Sequence, residues 1–119
     1  MITHIKFVNI PTTDQYRALA FYTEKLGFKL VTDQPHDDKQ RWIELKIAGS
    51  DTRVVLFNPG NMPVGGFFPG ALACDDVGKT YEDLKAKGVE FMGPPTKMHW
   101  GEFAMMKDPD GNQILLSSR

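Results

Sequence analysis

Alternating apolar and polar positions predict β-strands at several places along the chain. The clearest is "RWIELKI", where apolar residues occupy every second position from 43 to 47, so that Trp42 and Glu44 share the opposite face. The other stretches predicted as strands are residues 5–10, 28–32, 52–57, 71–74, 89–92, 102–107 and 113–117. The chain is therefore rich in short strands.

Two segments with apolar residues three and four positions apart predict helices. The first follows "PTTDQ", where Thr12 and Gln15 fit a capping box, and ends at Gly27, a residue suited to a left-handed C-terminus. The second begins at Asp75 or Asp76, either of which can cap it. The apolar stripes are Leu19, Tyr22 and Leu26 in the first helix, and Val77, Tyr81 and Leu84 in the second.

The order of these elements repeats: each half of the chain consists of a strand, a helix and three strands. The halves are separated by "NPGNMPVGGFFPG", which is too rich in Pro and Gly for a helix or a central strand. The pattern predicts one α+β domain over 1–119, with modules at 1–60 and 69–119 and a linker at 61–68. One helix per module covers one sheet face only, so the βαβββ modules are expected to form a concave mixed sheet with the helices outside.

Composition and charge limit the kinds of molecule that the protein is expected to bind. The net charge is -1, which gives no electrostatic basis for binding nucleic acid or an anionic membrane. The single Cys74 rules out an internal disulfide and is interpreted as a buried small hydrophobe. The first ten residues are too mixed for a signal peptide, and no apolar run reaches membrane-spanning length, so a cytoplasmic protein that binds a small molecule is expected.

The segment "AFYTEKLGF", followed late in the chain by "DPDGN", resembles the vicinal oxygen chelate superfamily. That group includes glyoxalase I, extradiol dioxygenases, fosfomycin-resistance enzymes and bleomycin-resistance proteins. The resemblance covers nearly the whole chain. It implies paired βαβββ modules and a homodimer whose subunits help to complete each other's cavities.

Enzymes of this superfamily hold a divalent metal with His and Glu side chains on four strands. Spacing from the shared landmarks places the four positions on Phe7, Leu56, Pro69 and Leu115. None of these residues offers a nitrogen, carboxylate or thiolate ligand. The resemblance therefore implies a branch without a metal, and no cofactor is expected.

Other residues remain candidates for chemistry. Glu44 is a possible acid, base or cation ligand if its face lines the concave interior, and otherwise an ordinary solvent-facing carboxylate. His99 lies next to Trp100, near the expected cavity mouth, whereas no two histidines have the spacing of a metal site. The remaining polar candidates, each with an equally good interpretation as a surface residue, are His4, His36, Arg41, Arg53 and Glu102.

The sequence thus favours a metal-independent protein that binds a hydrophobic or aromatic small molecule in a cavity. The expected contacts are Phe7, Asn9, Trp42, Glu44, Leu56, Asn58, Trp100 and Leu115. One alternative is a metal-free lyase or isomerase that uses Glu44 or His99 to move a proton. The other is a divalent-metal lyase or dioxygenase whose ligands lie elsewhere, so whether the protein is an enzyme stays open.

Overall fold

The computed structural model describes all residues from Met1 to Arg119. The fold is mixed α+β, with two mixed sheets and two α-helices, which confirms the predicted class. The chain divides into two compact units, Met1–Val64 and Gly65–Arg119. None of the helices is long and apolar enough to cross a bilayer.

The N-terminal unit contains one four-stranded sheet and one helix. Its elements are β1 (Phe7–Asn9), α1 (Gln15–Ala20), a π-helical turn (Phe21–Lys25), β2 (Lys29–Pro35), β3 (Arg41–Lys46) and β4 (Arg53–Val55). The strand order is β1-β4-β3-β2. Strands β1 and β4 are parallel, whereas the other pairs are antiparallel, so the sheet is mixed.

Helix α1 is capped differently from the prediction. Asp14 is the N-cap, and its carboxylate accepts a hydrogen bond from the backbone N–H of Arg17 at 3.1 Å. The side chain of Gln15 does not complete a capping box. It donates to the carbonyl oxygens of Arg41 and Leu56 and accepts from the N–H of Arg41. Gln15 therefore anchors the helix to the sheet, and that long-range role was not visible in the local pattern.

One face of the N-terminal sheet is part of the core. We call it the Ile43 face, because Ile43, Leu45 and Val54 lie on it and are 0%, 0% and 3% exposed. Helix α1 packs against this sheet, and the helical segment buries Ala18 and Tyr22 completely. Burial of these apolar side chains is the main stabilising contribution to the unit.

The C-terminal unit repeats the same plan with more strands. Its elements are β5 (Phe67–Cys74), α2 (Val77–Ala86), β6 (Glu90–Phe91), β7 (Thr96–Met98), β8 (Gly101–Lys107) and β9 (Gln113–Ser118). The strand order is β5-β9-β8-β6, with β7 also paired to β8. Asp76, one of the two predicted caps, accepts from the backbone N–H of Lys79 and starts α2.

Two strand boundaries in this unit differ from the prediction. Strand β7 lies within "GPPTKMHWG", which was predicted as a loop, because its backbone pairs with β8 despite the flanking prolines. Strand β5 begins at Phe67, inside the segment 61–68 predicted as a linker, because Phe67 pairs with Gln113. Pro69 is tolerated in β5 because β5 is the edge strand of its sheet.

The "DPDGN" segment is a turn held by two buried polar side chains. The carboxylate of Asp108 accepts from the backbone N–H groups of Asp110 and Asn112 and from the Asn112 side-chain amide, each at 2.9 Å. The amide oxygen of Asn112 accepts from the N–H of Gly65 at 2.8 Å. Gly111 adopts a φ of 81°, which favours glycine. The motif therefore ties the start of the C-terminal unit to the β8–β9 hairpin.

Replacing Asn112 by alanine is expected to lower the free energy of unfolding by about 1–3 kcal/mol, because Asp108 and Gly65 lose partners at a buried position. Chemical denaturation of the purified proteins measures the change. The matched control is Asn61→Ala at an exposed position, which is expected to change stability by less than about 0.5 kcal/mol. Equal effects of the two substitutions would contradict the structural role of the motif.

Candidate functional site

Four rings form a cluster in the N-terminal unit. The edge of Phe7 meets Trp42 with ring centroids 5.4 Å apart, and Trp42 lies 5.1 Å from Phe57. His36 contacts Phe57 at 4.8 Å and Trp42 at 6.1 Å. We call these four residues the aromatic cluster. Such a cluster offers flat apolar surface at low entropic cost to a bound molecule.

The strand register shows which side chains share the sheet face of this cluster. Glu44 pairs with Val55 across β3 and β4, and Val55 pairs with Asn9 across β4 and β1. Two residues back along the same strands, and therefore on the same face, Phe7 pairs with Arg53. Paired residues point to the same side of a sheet. The face opposite the Ile43 face, which we call the Trp42 face, consists of Phe7, Asn9, Trp42, Glu44, Lys46, Arg53, Val55 and Phe57.

The structure places Leu56 on the other side of this sheet. Its backbone N–H donates to the carbonyl of Ile43 at 2.9 Å, which extends the β3–β4 pairing and puts Leu56 opposite Ile43. Leu56 is 0% exposed and belongs to the core. The position next to Trp42 is occupied by Phe57 instead. The expectation that Leu56 shares a surface with Phe7 was therefore wrong, since a displacement by one residue moves a side chain to the opposite face.

Polar groups on the Trp42 face are only partly satisfied within the protein. The indole N–H of Trp42 donates to Oε1 of Glu44 at 3.2 Å, and Oε2 of Glu44 lies 4.0 Å from Nη1 of Arg53. That nitrogen has no hydrogen-bond partner in the protein, and neither does Oδ1 of Asn9. Most buried polar atoms in native proteins are hydrogen-bonded, so these two atoms call for an explanation.

Arg41, a candidate for anion binding, is instead held in an ion pair at the start of β3. Its Nε lies 2.6 Å from Oδ1 of Asp33, and the Tyr16 hydroxyl donates to Oδ2 of the same carboxylate at 3.0 Å. The hydrogen bond from Arg41 lowers the pKa of Asp33 below its usual value, and Asp33 in turn raises the pKa of Arg41. The ion pair therefore links the side chains of β2 and β3.

Asn58 is likewise occupied by local structure. Its side-chain oxygen accepts from the N–H groups of Gly60 and Met62, and its amide donates to the carbonyl of Met62. Its own backbone N–H donates to Gln40. The side chain thus shapes the loop after β4, and we leave it out of the ligand contacts proposed below.

The sheet of the C-terminal unit also has a buried face and a half-exposed face. On the half-exposed face, Met105 pairs with Leu115 and Phe103 with Ser117; we call it the Leu115 face. Trp100, 51% exposed, stacks on Phe103 with ring centroids 6.2 Å apart. Leu115 and Trp100 therefore both border apolar surface on one side of this sheet.

The remaining candidates in this unit lie apart from that surface. His99 lies in the exposed turn between β7 and β8. Glu102 pairs with Lys97, and its backbone N–H donates to the Ser118 hydroxyl, on the side of the sheet opposite Phe103. Cys74 was expected to be buried but is only partly so, and this partial burial raises the pKa of its thiol. None of these three residues lies on the Leu115 face.

The four positions that the resemblance matches to metal ligands hold no donor here. Phe7 lies on the Trp42 face, Leu56 in the core, Pro69 at an exposed position of β5 and Leu115 on the Leu115 face. No three His, Cys, Asp or Glu side chains come together in the structure in a way that could hold a metal ion. His4 and His36 are both exposed, and His36 makes ring contacts instead. The donor set in this structure does not fit a divalent metal site.

The fold and these landmarks define a class. A family model for the Glyoxalase/Bleomycin resistance protein/Dioxygenase superfamily matches residues 2–116, and the chain belongs to that superfamily. The resemblance expected from "AFYTEKLGF" and "DPDGN" is thereby confirmed.

Individual proteins are similar to this chain over nearly its whole length. YetH of Bacillus subtilis (strain 168) is 38% identical over 118 residues, which cover 98% of each chain. A superfamily member from Sphaerobacter thermophilus DSM 20745 superposes with a TM-score of 0.88 at 33% identity, covering 99% of this chain and 98% of its own. TnmS3, an antibiotic binding protein from Streptomyces sp. CB03234, superposes with a TM-score of 0.85 at 38% identity, covering 98% of this chain and 96% of its own.

Proposed function

We propose that this protein is a metal-independent small-molecule binding protein, which holds a hydrophobic or aromatic molecule against the Trp42 face. The observation that carries the proposal is the aromatic cluster, which lies on the same face as the partly exposed charged side chains of Glu44 and Arg53. Ligand sites combine apolar walls with a few polar groups in the same way. The similarity to TnmS3 supports binding as the activity.

The contact set differs from the one expected from sequence in two places. Phe57 takes the place of Leu56, and Asn58 is left out because its side chain is used in the loop after β4, whereas Phe7, Asn9, Trp42 and Glu44 keep their proposed roles. The Leu115 face, with Leu115 and Trp100, is a further proposed apolar contact surface, in the C-terminal unit. The two tryptophans lie in different units, so each can report separately on ligand contact.

Independence from metal leads to a direct prediction. Saturable binding of N-phenylnaphthylamine, a neutral aromatic fluorophore, is expected to be the same for protein dialysed against chelator and for protein supplied with zinc, nickel or manganese. The reason is that the residues matched to the family ligand positions, Phe7, Leu56, Pro69 and Leu115, offer no metal donor, and neither does Phe57 beside Leu56. Fluorescence titration gives the affinity, and metal analysis after dialysis gives the metal content.

The control for this experiment is thermal unfolding with and without each metal. A specific ligand raises the melting temperature as its free concentration exceeds the Kd. Binding that occurs only with a stoichiometric metal would overturn the proposal and favour the metalloenzyme alternative.

The homodimer implied by the superfamily and the cytoplasmic location stay predictions. Light scattering of the purified protein tests the first. We propose no catalytic step: Glu44 lies on the Trp42 face, but both of its oxygens face donors of the protein, and His99 lies in an exposed turn.

A further inference from the structure

Arg53 is the polar side chain on the Trp42 face with the largest unmet hydrogen-bonding capacity. The side chain is 34% exposed, and its guanidinium donates no hydrogen bond to the protein. Its nearest acidic partner, Glu44, lies at the outer limit of an ion pair, 4.0 Å away. A guanidinium carries five donors in a planar fork. Nη1 is buried without an acceptor, which is unfavourable, whereas the exposed donors are open to a bound molecule.

The surroundings of Arg53 are aromatic on one side and cationic on the other. In strand register, Phe7 of β1 lies beside Arg53 of β4, Arg53 beside Lys46 of β3, and Lys46 beside Lys29 of β2. Both lysines are exposed. This row of the sheet therefore presents three positive side chains, while Glu44 is the acidic residue next to it. The whole chain has a net charge of -1, so this row is a positively charged patch on a slightly negative protein.

We propose that Arg53 binds the oxyanion of a flat aromatic ligand, a carboxylate, sulfonate or phenolate, whose ring system lies against Phe7 and Trp42. This inference rests on the proposed function and names the chemical class of its ligand. Nη1 of Arg53 is shielded by the protein, so the oxyanion meets the exposed part of the guanidinium fork. An arginine fork matches a planar oxyanion in two parallel hydrogen bonds.

Glu44 and Asn9 complete the polar end of this site. The Trp42 indole holds Glu44 at 3.2 Å, which keeps the carboxylate beside Arg53 without a direct hydrogen bond between them. Glu44 therefore opposes the anion by charge repulsion and sets the strength of binding. Oδ1 of Asn9, on the same face, is buried and has no hydrogen-bond partner in the protein.

The test uses two fluorophores that share an aromatic skeleton and differ in one sulfonate. Anilinonaphthalene sulfonate carries the oxyanion, and N-phenylnaphthylamine lacks it. Arg53→Gln is expected to weaken binding of the sulfonate about tenfold, the loss of a charge-assisted hydrogen-bond pair, and to change binding of the neutral probe less than about twofold. Arg53→Lys keeps the charge but not the fork and is expected to weaken sulfonate binding about threefold.

Two further variants separate a local contact from a general charge effect. Lys79→Gln removes one positive charge from an exposed position of α2 and is expected to leave both affinities unchanged. Glu44→Gln is expected to strengthen sulfonate binding about threefold, because the opposing carboxylate is removed. Thermal unfolding shows whether each variant is folded. If Arg53→Gln does not fold, the Arg53→Lys variant provides the test.

The outcomes distinguish this inference from the proposed function. A loss of sulfonate binding in Arg53→Gln, with neutral binding retained, supports the inference. Equal effects on both probes, or binding of the neutral probe alone in the unchanged protein, overturn it while the proposed function stands. If neither probe binds saturably to the unchanged protein, both the inference and the proposed function are overturned.

Discussion

Replacing Leu56 by alanine is expected to lower the free energy of unfolding by about 2–5 kcal/mol and to leave the affinity of the folded protein for N-phenylnaphthylamine unchanged. Leu56 is fully buried on the Ile43 face, where its removal leaves a cavity. Phe57→Leu is expected to lower the affinity as well as the stability, because Phe57 is buried and also belongs to the aromatic cluster. Its ring contacts Trp42 and His36, so the affinity is expected to fall about three- to tenfold. Denaturant unfolding and fluorescence titration measure the two quantities separately.

Phe28→Leu is the matched control for this pair. Phe28 is 7% exposed, as is Phe57, but it stacks on Tyr22 and has no ring contact with the aromatic cluster. The substitution is therefore expected to affect stability alone. A larger loss of affinity in Leu56→Ala than in Phe57→Leu would show that the assignment of faces is wrong.

Most of the fold follows from local patterns in the sequence. The alternation in "RWIELKI" predicts the strand β3 and its buried face, and the structure places Ile43 and Leu45 there with no exposure. The second helix begins after Asp76, one of the two predicted caps, whereas the first begins after Asp14 and not with the predicted capping box of Thr12 and Gln15. The internal repeat then predicts two similar units. These features depend on neighbours in sequence, which is why one chain suffices to find them.

The predictions that failed depend on contacts between distant residues. Gln15 bonds to the backbone of Arg41 and Leu56, and no local pattern shows that its side chain is used for this purpose. Strand β7 exists because β8 provides its hydrogen-bonding partners. Arg41 is paired with Asp33 through the register of β2 and β3. Such partners are set by register, and register is a property of the folded sheet.

The assignment of Leu56 failed for a related reason. Counting from a landmark places a position to within about one residue, but one residue decides which face of a strand a side chain occupies. No alternation marks Phe57, because residues 54–57 are four apolar residues in a row and all four are buried, so a period of two must be anchored on one known position. If Val54 is taken as a core position, Leu56 follows it into the core and Phe57 joins Val55 on the other face. That anchor comes from the pairing of Val54 with Leu45, which the folded sheet shows and the sequence alone does not.

The aromatic cluster gives the prediction with the largest expected effect on binding. Trp42→Ala is expected to weaken binding of N-phenylnaphthylamine by about thirtyfold or more, since buried tryptophans at binding surfaces commonly contribute at least about 2 kcal/mol. Trp42 contacts Phe7, His36 and Phe57, so its removal separates the remaining rings. It also removes the donor that holds Glu44. Trp42→Leu keeps an apolar side chain and is expected to give a smaller loss.

Trp100→Ala is the matched control, because the chain has two tryptophans and this one lies in the C-terminal unit, stacked on Phe103. If the ligand binds mainly on the Trp42 face, Trp100→Ala changes the affinity much less than Trp42→Ala does. In Trp100→Ala, where Trp42 is the single tryptophan, bound ligand still quenches the tryptophan fluorescence. The opposite ranking would move the site to the Leu115 face. It would also remove the basis for assigning Arg53 to the ligand, because Arg53 and Trp42 share one sheet face through the register of three strands.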